Sequence, residues 1–427
     1  MRLFYTALLY LAGPLLLLRQ WLRGLRHPAY RHRLGERLGL VTRPPQPAAV
    51  WVHAVSVGET LAALPLIEAL LERHGAGRVF VTTTTPTGSA RVRAALGGRV
   101  LHSYAPYDWP GAVARFLDRV QPRQCIVMET EIWPNLFAAL HRRGIPLLIA
   151  NARLSPRSFA GYRHIAGLLR RTLAHCRIAA QSQADARRFR ALGAPQVTVT
   201  GNLKFDLELP QAPLEAGRAL REKLGHRRPV WAAVSTHDGE ETAALAAHRS
   251  VMKTHPDALL ILVPRHPQRF DAVWQAVRGS GLTGGRRSAL AMLEAAGEPP
   301  ALGAAQVLVG DSMGEMFTYL AAADLAFVGG SLKPVGGHNV LEPAALGLPV
   351  LFGPHMFNFD GARRLLLETG AALQIADAAQ LAAEVAALLG EPQRRTTMGA
   401  AGRRAVAGNR GALARLLRLL DRDGAAA

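Results

Sequence analysis

The chain has 427 residues, of which 49% are hydrophobic and 19% charged, and its formal net charge is +20. That length is too great for one ordinary core and predicts two domains, while the composition excludes a disordered chain. The positive balance calls for an anionic partner, and charge alone leaves nucleic acid, anionic lipid and a phosphorylated substrate all open.

The first element is an apolar run of 16 residues from Leu3 to Leu18, broken by Thr6, Gly13 and Pro14 and flanked by Arg2 and Arg19. A full membrane span needs roughly 20 residues, so this one is short. No small-residue cleavage site follows it, which argues against a removed signal peptide. Arg19, Arg23 and Arg26 come next at helical spacing, and Arg31, Arg33 and Arg37 extend the basic stretch. The positive-inside rule then places everything after the anchor on the cytoplasmic side. Near an anionic lipid surface each arginine contributes roughly 1 kcal/mol, so the six from Arg19 to Arg37 are expected to reinforce the anchor. A buried N-terminal helix is the plainer alternative; the abrupt change from apolar to Arg-rich argues against it.

After Pro44-Pro45-Gln46-Pro47 the pattern becomes regular. Strands are predicted at Ala49–His53, Val79–Thr83, Val100–Tyr104, Cys125–Met128, Leu147–Ala150, Ile178–Gln181 and Val197–Thr200, with helical periodicity in segments between them such as Leu61–Arg73 and Trp109–Val120. The only two cysteines, Cys125 and Cys176, lie in this apolar setting, which argues against a disulfide framework and fits a reducing compartment. Gly201-Asn202 and the polar stretch Phe205–Pro213 interrupt the alternation. It restarts with Val230–Val234, Leu259–Val263, Val307–Val309, Leu325–Val328, Val350–Phe352 and Leu373–Ile375. Strand–helix alternation predicts parallel sheets covered on both faces, so each half reads as a doubly wound α/β domain. The expected organisation is an anchor over 1–22, a first domain over 23–207 and a second over 208–427, the last helical segment, Ala412–Leu420, packing on either half.

Several signatures are missing. There is no Gly-x-x-x-x-Gly-Lys-Ser/Thr phosphate loop, and no strand is followed by Gly-x-Gly-x-x-Gly. The histidines show no zinc-ligand spacing, so no metal site is expected. Asp421-Arg422-Asp423 has the Asp-x-Asp form that can hold a metal, but its place in the C-terminal tail argues against that use.

In doubly wound folds ligands collect at the carboxyl ends of strands, and the unusual polar clusters all fall there. Ser56-Val57-Gly58-Glu59 follows the first strand: Ser56-x-x-Glu59 is a capping box, and Glu59 is equally placed as a general base. Glu129 and Glu131 follow the fourth strand, in Glu129-Thr130-Glu131-Ile132-Trp133-Pro134-Asn135. Arg153 follows the fifth and Lys204 the seventh; both suit acidic groups, whether on a ligand or on the two glutamates. In the second half, Ser235-Thr236-His237 precedes a helix start, where free amides suit a phosphate, and a simple helix cap is the alternative. Pro264-Arg265-His266 offers a cationic clamp. Met313-Gly314-Glu315 follows the next expected strand. Last come Gly329-Gly330-Ser331 and Gly336-Gly337-His338-Asn339-Val340-Leu341-Glu342, where Asn339 caps a helix or Glu342 accepts from ribose hydroxyls. Four such clusters in one domain point to a nucleotide site.

Taken together these segments resemble the 3-deoxy-D-manno-octulosonic acid (Kdo) transferases of lipopolysaccharide assembly, over nearly the whole chain. Glu129-Thr130-Glu131-x-Trp133-Pro134-Asn135 and Gly336-Gly337-His338-Asn339-x-x-Glu342-Pro343 are the most specific matches. The resemblance implies the GT-B glycosyltransferase fold, two Rossmann-like domains facing across a cleft. It implies transfer of Kdo from CMP-Kdo to a hydroxyl of the lipid A precursor, with inversion and without a cofactor or Asp-x-Asp metal. It makes Glu59 the base, Glu129 and Lys204 transition-state stabilisers, and assigns Pro264-Arg265, Met313 to Glu315 and Asn339 to Glu342 to CMP. Ser235, Thr236, His266, Gly330 and Ser331 join that donor set, and Ser56, Gly58, Glu131 and Arg153 the acceptor side. The expected partners are CMP-Kdo, the lipid A precursor and anionic lipids of the bacterial inner membrane.

Two other readings compete. A sugar-nucleotide epimerase or a UDP-sugar transferase would keep the fold, though a soluble epimerase needs no anchor. A nucleic-acid-binding protein would explain the charge, but it calls for clustered cations with aromatic platforms, whereas the arginines are dispersed and aromatics make up 6%. No nucleic-acid partner is expected.

Overall fold

The structure is a computed structural model that describes residues 1–26, 28–295 and 304–424. It divides into two compact units, Met1–Asp206 with the chain from Arg410 onward, and Leu207–Asn409.

The first unit holds β1 (Val50–His53), β2 (Val79–Thr83), β3 (Leu101–Tyr104), β4 (Cys125–Met128), β5 (Leu147–Ala152), β6 (Cys176–Ala180) and β7 (Gln196–Val199). They form one seven-stranded sheet in the order β3-β2-β1-β4-β5-β6-β7. Every pairing is parallel: Val52 lies beside Val81 on one side and Ile126 on the other. Helices cover both faces, so the central strands are apolar throughout rather than alternating. Alternate residues still part to opposite sides. Trp51 joins Phe80, Phe116 and Phe189 in one core. Val52 joins Leu66, Ile67 and Leu416 in the other. Leu416 belongs to the last helix, Ala412–Gly424, whose Ala412, Leu416 and Leu420, spaced four apart, form a stripe buried in this unit. The Asp206 carboxylate accepts the Gly411 and Leu413 N–H groups at the start of that helix. Asp421 pairs with Arg73 on the surface, and the side chain of Asp423 lies outside the described residues.

The second unit holds β8 (Val230–Thr236), β9 (Leu259–Pro264), β10 (Gly284–Arg286), β11 (Val307–Val309), β12 (Leu325–Val328), β13 (Val350–Phe352) and β14 (Ala372–Gln374), all parallel, in the order β10-β11-β9-β8-β12-β13-β14. β10 is a strand the sequence reading lacks. It is an edge strand of sequence Gly-Gly-Arg with no apolar run, paired to β11 and tied further by Arg286, which pairs with Asp311 and with Asp271 at 2.8 Å.

Ahead of both sheets a helix runs over Arg2–Arg26. Among the described residues it is the one helix long and apolar enough to cross a membrane, over Arg2–Leu25. The structure corrects the expectation for the arginines that follow. Arg37 is 5% exposed, lies over the Tyr104 ring and donates to the Thr84 carbonyl at 2.7 Å. Arg33 pairs with Glu36 at 2.7 Å and donates to Ser89 and to the His102 carbonyl. Both fasten the chain to the first sheet and are not available to a lipid surface. The side chain of Arg26 lies outside the described residues.

Candidate active site

Each sheet has one place where successive strands leave in opposite directions, between β1 and β4 in the first unit and between β8 and β12 in the second. The crevice outside the carboxyl ends of such a strand pair is where doubly wound sheets hold ligands. The expected site residues follow the carboxyl ends of strands at these two points and, for Lys204 after β7 and Met313 to Glu315 after β11, farther along each sheet.

At the first, the helix Val57–His74 starts after β1 with Ser56 as its cap. The Glu59 carboxylate accepts the Val55 N–H at 2.9 Å and the Ser56 hydroxyl at 3.0 Å, while the Glu59 N–H reaches Ser56 Oγ at 3.4 Å. Glu59 is therefore a cap, and it is also 9% exposed beside other acids. Burial pushes its carboxyl up to about 7; the Glu129 and Glu131 charges add to the rise, against the pull of the Val55 N–H and the Ser56 hydroxyl. Such a group takes and returns protons near neutrality.

Glu129 follows β4 with φ +57°, and Asn151, near the end of β5, has φ +51°. Side chains seldom adopt this left-handed backbone, and it concentrates at functional sites. Asn151 is held there because its side-chain oxygen accepts the Leu203 N–H at 3.0 Å and its carbonyl accepts the Gln181 amide at 2.9 Å. The Leu203 bond fixes the turn carrying Lys204. Burial lowers the Lys204 ammonium and Arg153 adds to that, while Glu129 and Glu59 oppose it. Burial likewise raises the Glu131 carboxyl, with Glu129 adding and the Trp133 indole N–H, 2.8 Å away, opposing. Glu59, Glu129, Glu131, Arg153 and Lys204 thus form one electrostatic cluster, with two cations against three acids.

At the second switch point Glu240 opens the helix Glu240–Val251 and is 1% exposed. Its carboxylate accepts the N–H groups of His237 at 2.9 Å, Gly330 at 2.6 Å, Ser331 at 2.9 Å and Leu332 at 2.9 Å. One side chain therefore ties the loop after β8 to the loop after β12. Gly329 is required there, since a Cβ would stand 2.7 Å from the Ser235 carbonyl oxygen and from Thr236 Cα. Ser235 is the third left-handed strand-end residue, at φ +55°. Ser331 is fully committed: its hydroxyl donates to the Val328 carbonyl at 2.5 Å and accepts the Gly353 N–H at 2.9 Å.

Arg265 follows Pro264 at the end of β9, its N–H on the Thr236 carbonyl at 3.0 Å. Its charge helps hold His237, His266 and His338 below the usual histidine range, behind burial as the larger cause. His237 and His338 share a hydrogen bond at 2.8 Å between ring nitrogens, so one ring donates and the other, neutral at that nitrogen, accepts. His266 stands edge-on to His237 at 5.3 Å. Asn339 donates to Glu342 at 3.0 Å and accepts the Leu341 N–H at 3.1 Å; burial raises the Glu342 carboxyl, against Asn339 and Arg265. Val340 and Leu341 are core side chains, so what they offer a ligand is backbone. Met313 is 65% exposed and Gly314 is open, whereas Glu315 is paired with Arg287 at 3.0 Å.

From sequence alone Glu240 had no role, and His237 and His338 were not brought together. The available signal for Glu240 was an acid at a helix start beside a Gly-rich turn. His53 was also passed over as a role. It is 1% exposed at the end of β1, bonded to Thr82 through Nδ1 at 2.9 Å, and burial pushes it down to about 4. Its Nε2, Asn151 Nδ2 and Thr236 Oγ1 are buried with no hydrogen-bond partner in the protein, all three at the carboxyl ends of strands. Among the described residues, no three His, Cys, Asp or Glu side chains are grouped to hold a metal ion.

The family model described as 3-deoxy-D-manno-octulosonic-acid transferase (kdotransferase) matches residues 32–207. The 3-deoxy-D-manno-octulosonic acid transferase of Haemophilus influenzae is 43% identical over 427 residues, covering 98% of each chain. The chain belongs to the Kdo transferase family. It is a glycosyltransferase, and the epimerase alternative falls away. The Kdo transferase of Bordetella pertussis is likewise 43% identical, again over 98% of each chain. Among solved structures, a UDP-GlcNAc 2-epimerase from Neisseria meningitidis bound to UDP-GlcNAc covers 87% of this chain and 99% of its own, with a TM-score of 0.57 at 14% identity. At that identity the likeness is one of fold, the GT-B architecture.

Proposed function

We propose that this Kdo transferase moves Kdo from CMP-Kdo to a hydroxyl of a lipid A precursor, with inversion at the anomeric carbon and release of CMP. In this reading the second unit binds the donor. Arg265, at the end of β9 beside its switch point, suits a nucleotide phosphate, with the loops at Gly330 and Asn339 to Glu342 around it. Ser235, Thr236, His266 and Met313 to Glu315 complete the donor set.

The first unit supplies the acceptor chemistry. Glu59 takes the hydroxyl proton as that oxygen bonds to the anomeric carbon. The bond from that carbon to the phosphate oxygen breaks, and CMP leaves with the electron pair. Glu129 and Lys204 meet the charge that develops, fixed in place beforehand and so costing no reorganisation. Ser56, Gly58, Glu131 and Arg153 line the acceptor side. No metal or other cofactor is assigned a part. The observation that carries the reading is the place of Glu59, a buried acid just after β1 at the β1/β4 switch point, with Glu129 and Glu131 close enough for their charges to add to the rise that burial gives its carboxyl.

The N-terminal helix would hold the enzyme at the cytoplasmic face of a bacterial inner membrane, where a lipid acceptor resides; its apolar composition and the exposed Arg19 and Arg23 in its second half support this. The test is transfer by purified protein from CMP-Kdo to a tetraacylated lipid A precursor, read by mass spectrometry. The expected product is heavier by a whole number of Kdo residues, which the increment counts. Unchanged acceptor would mean that the donor or the acceptor is misassigned.

A further inference from the structure

The helix Arg2–Arg26 does not stand off the first unit; one of its faces is packed along it. Tyr5 donates to the Asp108 carboxylate at 2.9 Å, and Thr6 to Asn135 Oδ1 at 3.0 Å. The Trp109 indole N–H donates to the Leu9 carbonyl at 3.2 Å, its ring stacks on Tyr10 at 6.1 Å, and a Cβ on Gly13 would stand 3.1 Å from it. Further along, Gln20 donates to the Tyr30 carbonyl at 3.1 Å, Arg31 lies over the Trp21 ring, and Gly24 is buried against Arg31. At 1.5 Å per residue the contacts to the body of the unit, from Tyr5 to Gly13, extend over about 12 Å, and those of Gln20, Trp21 and Gly24 are to the chain just after the helix.

The opposite face carries Phe4, Leu8, Leu11, Leu15, Leu18, Leu22 and Leu25, all exposed and spaced alternately four and three apart. Leu3, Leu17 and Trp21 are exposed beside them, so the bare apolar surface is about half the helix circumference. Arg19 and Arg23, also exposed, flank the packed side.

We propose that this helix lies in the plane of one leaflet, its stripe from Phe4 to Leu25 in the acyl region and its flanking arginines at anionic headgroups, and does not cross the bilayer. The inference deepens the membrane-anchor reading and rests on it. A crossing helix would carry Asp108, Asn135 and the helix starts beside them into hydrocarbon, or would have to peel off every contact just named; a polar group unsatisfied there costs several kcal/mol. A helix apolar on one side and cationic at its flanks is the composition of an interfacial segment. A second copy of the chain is the rival occupant of the stripe. The bare surface is wider than a coiled-coil seam, and pairing would bring like-charged arginines together, so lipid is favoured.

The test places single cysteines on the full chain at Arg2→Cys and Arg23→Cys, the native Cys125 and Cys176 being buried. In-plane packing predicts that a membrane-impermeant maleimide labels both in inside-out vesicles and neither in right-side-out ones. Labelling of Arg2→Cys from the outer side only would overturn it. Alongside, wild type should float with phosphatidylglycerol–phosphatidylethanolamine vesicles. Leu11→Arg should float roughly tenfold less or worse while still transferring Kdo to detergent-dispersed acceptor. Wild type that neither floats nor sediments with membranes would sink the membrane reading itself. A lipid-free dimer that Leu11→Arg dissociates would give the stripe to a second copy.

Discussion

The Glu240 carboxylate accepts the Ser331 N–H at 2.9 Å and so joins the loops that follow β8 and β12, the parallel strands between which the strand order of the second sheet reverses. The His237, Gly330 and Leu332 N–H groups end on the same carboxylate. Glu240→Gln replaces one acceptor oxygen with an NH2 that faces donors. The expected cost is about 3 kcal/mol or more, because buried N–H groups lose a charged acceptor. Urea unfolding should show it, and CMP binding should weaken at the same time, since the donor loops lose their tie. Unchanged stability would mean that the loops hold their shape without this bridge.

Arg265 is assigned to the donor phosphate. Arg265→Ala is expected to weaken CMP binding about tenfold to a hundredfold, the value of one charge-assisted hydrogen bond, with little effect on folding. Titration calorimetry reads the affinity. NMR should also show His338 titrating higher, because part of its depression to about 3 comes from the Arg265 charge.

Glu59 links activity and stability to pH with opposite signs. Its carboxyl rises from 4.5 to about 7 on folding, so the folded chain holds that proton more tightly than the unfolded one. The contribution to stability is fully present below 4.5 and is lost as pH rises through 7, about 3 kcal/mol in all. Over the same interval the base becomes ionised, so kcat/KM should climb while stability falls. Denaturant unfolding and initial rates on one pH series check both, and Glu59→Gln should remove the fall in stability.

In the last helix, Leu416 is fully buried whereas the Asp421 partner of Arg73 is on the surface, the pair's side chains being 37% and 57% exposed. Leu416→Ala should therefore cost about 2–5 kcal/mol and Asp421→Ala less than about 1 kcal/mol. Urea midpoints separate the two. Equal effects would mean that the helix is not part of the first core.

Thirteen of the fourteen strands were legible, the central ones because a parallel strand buried on both faces reads as an unbroken apolar run. Gly284-Gly285-Arg286 was not, because two glycines and an arginine carry no apolar pattern. The site was legible as polar clusters at strand ends, since sheet topology puts ligands there. What makes the clusters a site was not legible. The Glu240 carboxylate meets Ser331 across 91 positions and His237 meets His338 across 101, separations that no local pattern records. The left-handed turns at Glu129, Asn151 and Ser235 carry no glycine to announce them. Arg33 and Arg37 read like the arginines before them, and only the fold shows that they turn inward to Glu36, Ser89 and Thr84.

The most direct test compares Kdo transfer by the wild type and by Glu59→Gln at a pH above 7. Glutamine keeps the capping geometry, so the variant should fold as well as the wild type, while a lost general base costs roughly a hundredfold to ten-thousandfold in rate. A folded Glu59→Gln protein that binds CMP and transfers Kdo that much more slowly is the predicted result. Transfer at the wild-type rate would reduce Glu59 to a helix cap and contradict the account.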